Sequence, residues 1–167
     1  ADFETQESGS LPRSLWGRFQ MNGKLPNSVT PQPWRLEKRV LPQHTDHAGV
    51  MWHGAYVSWL EEARVEALAS AGLDYAVMTG MGMEMPVVSL RLQYRRALRH
   101  GDCVTLESRC LPPSGVRWPW HCSLLVQRQL MAEAEVDLVF LREGRVLRRE
   151  PPALTEVIQA LRRGPQN

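Results

Sequence analysis

The chain has 167 residues, of which 43% are hydrophobic and 23% charged, and its formal net charge is +2. This length suits one domain with a sizeable core, and the small positive excess, spread along the chain, argues against a nucleic-acid-binding protein. No apolar run approaches the roughly 18 residues that a membrane span needs. The three cysteines show no framework spacing, so we expect reduced thiols in a soluble, cytoplasmic protein.

The beginning of the chain differs in composition from the rest. Residues 1–33 are rich in Ser, Pro, Gly, Asn and Gln without a sustained period, and we predict a flexible lead-in there. One domain is predicted over residues 34–163, with a short tail at 164–167. It opens with a strand from about Trp34 to Leu41, which Pro42 ends because proline cannot donate a hydrogen bond to a strand ladder.

The segment 44–64 combines an aspartate, a turn and the start of the strongest predicted helix. Gly49 permits backbone angles that residues with a Cβ avoid, so the chain can reverse just after Asp46. Apolar and small residues then recur at helical spacing from about Gly54 to residue 71. Asp46 and His53 should therefore lie near a helix N-terminus, whose unpaired N–H groups and partial positive charge can stabilise an oxyanion.

Four alternating strands follow a methionine-rich loop or short helix at 74–85. Their predicted ranges are 86–98, 102–111, 116–128 and 132–142. The short turns at 100–102, 112–115 and 129–131 indicate that successive strands are antiparallel neighbours. The apolar residues expected to face the core include Val88, Leu90, Leu92 and Tyr94 in the first of these strands, and Val116, Trp118, Trp120, Cys122, Leu124 and Val126 in the third.

The end of the chain reads as a terminal helix after a last turn at Glu143-Gly144. Pro152 opens this helix, and an apolar stripe runs along it: Leu154, Val157, Ile158 and Leu161. The order of strand, long helix, four strands and terminal helix predicts an α+β fold in which the helix covers one face of an antiparallel sheet.

A motif in the central segment resembles the signature of a known family. Its residues are Asp46, Gly49, Val50, His53, Tyr56, Trp59, Glu61, Ala63 and Arg64. The motif is similar to that of the hotdog-fold acyl-CoA thioesterases, particularly the 4-hydroxybenzoyl-CoA thioesterase class with its Tol–Pal-associated members. The similarity continues through Tyr94 to Gly101-Asp102, so it covers about residues 34–142.

This resemblance implies a hotdog fold, in which an antiparallel sheet wraps around a long central helix, and a homodimer or homotetramer with active sites at the subunit seam. It also implies hydrolysis of an acyl-CoA to a free acid and coenzyme A without a cofactor. Asp46 would attack the thioester carbonyl or act as general base for water, and His53 would orient substrate or water. Oxyanion and substrate contacts are expected from Gly49, Val50, Trp52 and Gly54, and contacts to the phosphates of coenzyme A from Arg95, Arg96 and Arg99, with Arg91 as a further candidate.

The sequence departs from this family at four positions near the motif, namely Pro42, His44, His47 and Ala55. His44 stands where the family usually has an acid, and Ala55 where it commonly has Asn. These changes leave the spacing from Asp46 to His53 intact, so they bear on the shape and polarity of the acyl pocket more than on the reaction.

Other interpretations of these residues stay open. Asp46 could be an ordinary turn residue, and Glu61 is a second choice for the nucleophile, although it can simply pair with Arg64 at i,i+3. The histidines near Asp46 suggest zinc ligands, but no metal-hydrolase spacing is completed, so we predict no metal. A hotdog hydratase and a non-catalytic acyl-binding subunit are the alternative functions, and the acyl group could be aromatic, short-chain or long-chain.

Overall fold

A computed structural model of the chain describes residues 31–166. Residues 1–30, which form most of the predicted lead-in, and Asn167 lie outside the described residues, so the predicted lead-in stays a prediction. The described part contains a five-stranded sheet, a three-stranded sheet and three α-helices. None of its helices is both long and apolar enough to cross a membrane.

The elements follow one another in nearly the predicted order. They are β1 (Trp34–Arg39), a 3₁₀ turn (Pro42–His44), α1 (His53–Ser70), α2 (Tyr75–Gly80), β2 (Met83–Glu84), β3 (Val87–Tyr94), β4 (Cys103–Cys110), β5 (Arg117–Val126), β6 (Gln129–Val139), β7 (Leu141–Arg142), β8 (Arg145–Val146), a second 3₁₀ turn (Pro152–Leu154) and α3 (Thr155–Arg163). The first strand and the main helix agree with the sequence-based prediction to within two residues. Pro152, the predicted start of the terminal helix, opens the second 3₁₀ turn, and α3 itself begins three residues later at Thr155.

The large sheet is antiparallel and has the order β1-β4-β5-β6-β3. The prediction that β3 and β4 are neighbours is therefore wrong, because β3 pairs with β6 at the far edge and residues 95–102 lead back to β4. Alternation marks which face of a strand is buried, but it carries no information on which strand pairs with which. The small sheet, of order β2-β7-β8, includes the predicted turn at Glu143-Gly144, where both residues have positive φ.

The predicted turn at 129–131 is also wrong, because these residues are the first of β6. The true turn is the two-residue connection Gln127-Arg128, with φ angles of 48° and 68°. Paired positive φ angles are typical of a tight hairpin turn, which usually selects Asn or Gly. Neither residue is Asn or Gly here, so composition gave no sign of the turn.

Helix α1 covers one face of the large sheet, and the buried residues below it form two clusters. The loop-side core lies under the first half of α1 and includes Tyr56, Trp59, Val104, Leu106 and Leu124. The terminal-helix core lies under the last turns of α1 and against α3; its members include Leu68, Met78, Met83, Trp118, Phe140 and Ile158. The methionine-rich segment thus contributes side chains to the core, since Met78, Met83 and Met85 are all buried.

The expected inward faces of β4, β5 and β6 are buried, but that of β3 is not. Val88 and Leu90 are 48% and 40% exposed, Tyr94 is 54% exposed, and Leu92 is half-buried. Val116 is also exposed, because it precedes β5 and lies in the turn. The edge position of β3 explains its exposure, since α1 makes its main sheet contacts with β1 and β4.

Candidate active site

The segment before α1 is held in place by His44, the last residue of the first 3₁₀ turn. Its Nδ1 accepts a hydrogen bond of 3.0 Å from the N–H of Leu41, and its carbonyl oxygen accepts one of 3.0 Å from the N–H of Trp52. The imidazole ring also meets Trp59 of α1 edge-on, at 5.2 Å between ring centroids. His44 therefore ties the end of β1, the loop and the helix together. Sequence reasoning missed this role. The one available signal was that His44 stands where the family that the chain resembles usually has an acid.

The loop carrying Asp46 is a tight hairpin between residues 44 and 52. Thr45 forms a bridge with Met51, and the N–H of Asp46 donates to the carbonyl of Val50 at 2.8 Å. Gly49 has a φ of 72°, a left-handed value that a residue with a Cβ rarely adopts. The expected reversal after Asp46 is thus present, and its geometry requires glycine.

The Asp46 carboxylate is exposed and is held by the backbone of its own loop. Its Oδ1 accepts hydrogen bonds from the N–H of Ala48 at 2.8 Å and from the N–H of Val50 at 3.2 Å. Among the described residues no donor hydrogen-bonds to Oδ2. One carboxylate oxygen therefore fixes the side chain, and the other, which accepts no hydrogen bond from residues 31–166, can react.

Hydrogen bonding also affects the charge of this group. The N–H groups of Val50 and Ala48 favour the charged carboxylate and lower the pKa of Asp46 below its ordinary value of 3.8, and the nearby His47 acts in the same direction. Asp46 is therefore ionised throughout the neutral range, and its charge is lost only as the pH falls through this lowered pKa.

Helix α1 begins immediately after the hairpin, with Trp52 as its N-cap residue and His53 as its first residue. Within the described part of the chain, no side chain caps this end. The N–H groups of His53 and Gly54 cannot have an intrahelical partner, and no acceptor for them occurs among residues 31–166. These two N–H groups, aided by the helix dipole, can stabilise a developing oxyanion. The side chain of His53 is exposed and packs on Trp52 at 5.2 Å between ring centroids.

Three of the predicted phosphate-binding arginines, Arg95, Arg96 and Arg99, lie on the connection that leaves β3, whereas Arg91 lies within β3, at 4.0 Å from Glu135. Arg99 forms a bridge with Val50, and the adjacent Leu98 carbonyl accepts from the N–H of Met51 at 2.8 Å, so this connection runs beside the Asp46 hairpin. Arg95 is already paired with Glu133. In the described part of the chain, Arg96 and Arg99 have no ion-pair partner within 4.0 Å, and both are exposed.

The competing interpretations find less support in this geometry. Glu61 is exposed and, within residues 31–166, forms no ion pair with Arg64, which is itself buried. Loss of hydration lowers the pKa of Arg64, and the charge of Glu61 partly offsets this effect. No three His, Cys, Asp or Glu side chains of the described residues converge on a point where a metal could bind.

A surface cavity of ≈ 730 Å³ lies at the other end of α1, beside Trp34, Ser70 and Arg163, and includes none of the predicted site residues.

Comparison with known proteins identifies the family. Residues 40–161 match the thioesterase-like superfamily. The chain belongs to this superfamily. A candidate esterase of Synechocystis is 37% identical over 139 residues, which are 81% of this chain and 84% of that protein.

Solved structures agree with this family assignment. A hypothetical protein from Thermus thermophilus superimposes with a TM-score of 0.70 and 28% identity, over 76% of this chain and 98% of its own. The DHNA-CoA thioesterase from Staphylococcus aureus gives a TM-score of 0.68 and 23% identity, over 75% and 87% of the two chains. The sequence-based prediction of a thioester hydrolase from the hotdog thioesterases is thereby confirmed at the level of the superfamily.

Proposed function

We propose that the protein is an acyl-CoA thioesterase in which Asp46 carries out the chemistry. The observation that supports this most directly is the Asp46 carboxylate, which is fixed through Oδ1 and open at Oδ2 on a hairpin that ends at the N-terminus of α1. The superfamily supplies the reaction class, and the hairpin supplies a group that can perform it.

We propose direct attack by Asp46 as the route. Its lowered pKa keeps the carboxylate ionised at neutral pH, as a nucleophile must be. In the proposed route Oδ2 bonds to the thioester carbonyl carbon, the N–H groups of His53 and Gly54 stabilise the oxyanion, and the C–S bond breaks to release coenzyme A thiolate, which takes a proton from solvent. Water then hydrolyses the aspartyl anhydride and releases the acid.

Residues around Asp46 are assigned supporting roles in this proposal. Gly49 and Val50 shape the hairpin, Trp52 and Gly54 border the thioester, and His53 orients the substrate or the hydrolytic water. Arg99, and Arg96 near it, bind the phosphates of coenzyme A, because both lie on the connection beside the hairpin and, among residues 31–166, neither has an ion-pair partner. Arg95 is a weaker candidate, since it is already paired with Glu133.

We further propose that the active species is a homodimer or homotetramer. Strand β3 lies at a sheet edge with both of its faces largely exposed. Its apolar residues Val88 and Leu90 are 48% and 40% exposed, and Tyr94 is 54% exposed although its ring meets Tyr56 of α1 edge-on. An apolar, unpaired edge strand tends to pair with another strand. The other edge, β1, presents charged residues instead, which makes β3 the expected interface.

The decisive experiment compares Asp46→Asn with a matched control, Asp74→Asn. Asp74 is likewise exposed and its Oδ1 accepts a backbone N–H, from Ala76 at 2.7 Å, at the start of α2. Asparagine preserves the accepting oxygen at both positions but removes the negative charge. We expect Asp46→Asn to lower kcat/KM by about 10²-fold or more and Asp74→Asn to leave it within about 2-fold.

Release of free thiol from benzoyl-CoA, hexanoyl-CoA and palmitoyl-CoA is the assay, and circular dichroism checks folding. An Asp46→Asn enzyme that keeps more than a tenth of its activity would remove Asp46 from the mechanism. Absence of hydrolysis with every acyl-CoA tested would instead remove the thioesterase proposal and favour an acyl-binding subunit.

A further inference from the structure

The indole of Trp52 occupies an unusual place at the start of α1. The point at which a Cβ at position 54 would stand is 2.7 Å from ring carbon Cζ2 and closer still to Cη2 and Cζ3. Because a carbon–carbon bond is about 1.5 Å long, these ring carbons lie within about 4 Å of the Gly54 Cα. Only glycine at position 54 therefore allows the indole to rest on this turn of the helix.

Hydrogen bonds fix the backbone of Trp52, and one aromatic contact acts on its ring. The backbone N–H of Trp52 donates to the His44 carbonyl at 3.0 Å, and its backbone carbonyl accepts from the N–H of Ala55 at 3.0 Å. The ring of His53 packs against the indole edge-to-face. The side chain is nevertheless 46% exposed, so the face of the indole turned away from the helix is open.

The open indole lies beside the place where the reacting group must bind. As far as residues 31–166 show, the N–H groups of His53 and Gly54 are the donors without an acceptor at this helix end, and the indole rests directly on Gly54. A thioester oxygen held by these donors therefore brings the adjoining acyl carbon against the ring. We infer that Trp52, held in place by Gly54, determines which acyl groups the enzyme accepts, and that it favours acyl groups that are flat next to the carbonyl.

This inference rests on the proposed function, and its physical basis is stacking. A flat, conjugated acyl group can lie against an indole face in an offset-stacked arrangement, whereas a puckered ring with tetrahedral carbons cannot approach as closely. Offset aromatic pairs stabilise by an amount that corresponds to about 2- to 10-fold in a rate ratio. Neither the hairpin backbone nor the helix N–H groups offer a flat apolar face, and at this helix end the indole of Trp52 offers the larger one, beside the His53 ring.

The test uses two substrates with the same carbon count, benzoyl-CoA and cyclohexanecarbonyl-CoA. Selectivity is the ratio of their kcat/KM values. We expect the wild-type ratio to favour benzoyl-CoA and Trp52→Leu to lower that ratio by about 3- to 10-fold, whereas Trp52→Phe should retain most of it. Gly54→Ala should act in the same direction as Trp52→Leu, because a methyl group displaces the indole. Tyr75→Leu, at another exposed aromatic residue on α2, is the control and should not change the ratio.

The outcomes separate this inference from the proposed function. A Trp52→Leu enzyme with unchanged selectivity, or a wild-type enzyme that hydrolyses only straight-chain acyl-CoAs, overturns the inference and leaves the thioesterase proposal intact. Failure of the wild type to hydrolyse any acyl-CoA overturns the proposed function itself. Should Gly54→Ala fail to fold by circular dichroism, the Trp52→Leu and Trp52→Phe pair still decides the question.

Discussion

Replacement of His44 by alanine tests whether the Asp46 hairpin depends on its anchor. The change removes the hydrogen bond from Leu41 N–H to Nδ1, at 3.0 Å, and the edge-to-face contact with Trp59, at 5.2 Å. Leu41 is exposed, so water can replace the acceptor and the hydrogen bond contributes only about 0.5–1 kcal/mol. The ring contact contributes about 0.5–1.5 kcal/mol, so we expect the free energy of unfolding to fall by about 1–2.5 kcal/mol.

These energies give two measurable changes. The melting temperature should fall by about 2–10 °C, since each kcal/mol corresponds to about 2–4 °C in a domain of this size. If all of the lost energy serves to hold the hairpin against α1, kcat/KM should fall by about 5- to 60-fold. Differential scanning fluorimetry and thiol release measure the two effects on the same protein sample.

Two further variants make the test of His44 specific. His44→Asn keeps an acceptor for the Leu41 N–H but loses the ring contact, so it should recover about half of the lost stability. His100→Ala removes an exposed imidazole from the turn before β4 and should change neither quantity. The reasoning is refuted if His44→Ala keeps the wild-type melting temperature and activity, or if His44→Asn is as impaired as His44→Ala.

Two more predictions concern assembly and substrate. In light scattering, the wild type should have at least twice the 19.0 kDa chain mass. Leu90→Lys should reduce both the mass and the activity, whereas the control Val77→Lys, at an exposed residue of α2, should reduce neither. Full activity from a species of 19.0 kDa would contradict a site shared between subunits. Arg99→Ala should raise KM for acyl-CoA by about 3- to 10-fold but should not raise it for the matching acyl-pantetheine, which lacks the nucleotide phosphates. The control Arg145→Ala should change KM for neither substrate. An equal rise for both substrates would remove Arg99 from phosphate binding.

Much of the fold follows from local pattern. The alternation of apolar residues identified the buried faces of β4, β5 and β6, and helical spacing identified α1 and α3. The position of β3 could not be derived, because pairing with β6 depends on contacts between distant segments and not on the alternation within a strand. The Gln127-Arg128 turn was missed since its positive φ angles fall on residues that do not usually adopt them.

The candidate site was foreseeable in part. A carboxylate, a glycine and a helix start at this spacing predicted the reversal after Asp46 and the free N–H groups of α1. The choice of Oδ1 as the oxygen that accepts from Val50, the anchoring by His44 and the contact of Trp52 with Gly54 depend on side-chain placement across the hairpin. Such contacts join residues whose individual types give no indication that they meet.

The division of the interior below α1 into two cores affects which substitutions the protein can tolerate without losing activity. The loop-side core includes Tyr56 and Trp59, one turn from the free N–H groups, whereas the terminal-helix core includes Leu68 and Ile158, at the opposite end of the helix. Mutational effects at separated sites are usually additive, and most substitutions are purged only when stability falls below what function needs. Substitutions in the terminal-helix core can therefore raise or lower the free energy of unfolding, in evolution or in a laboratory selection, without changing the reaction at the other end of the helix.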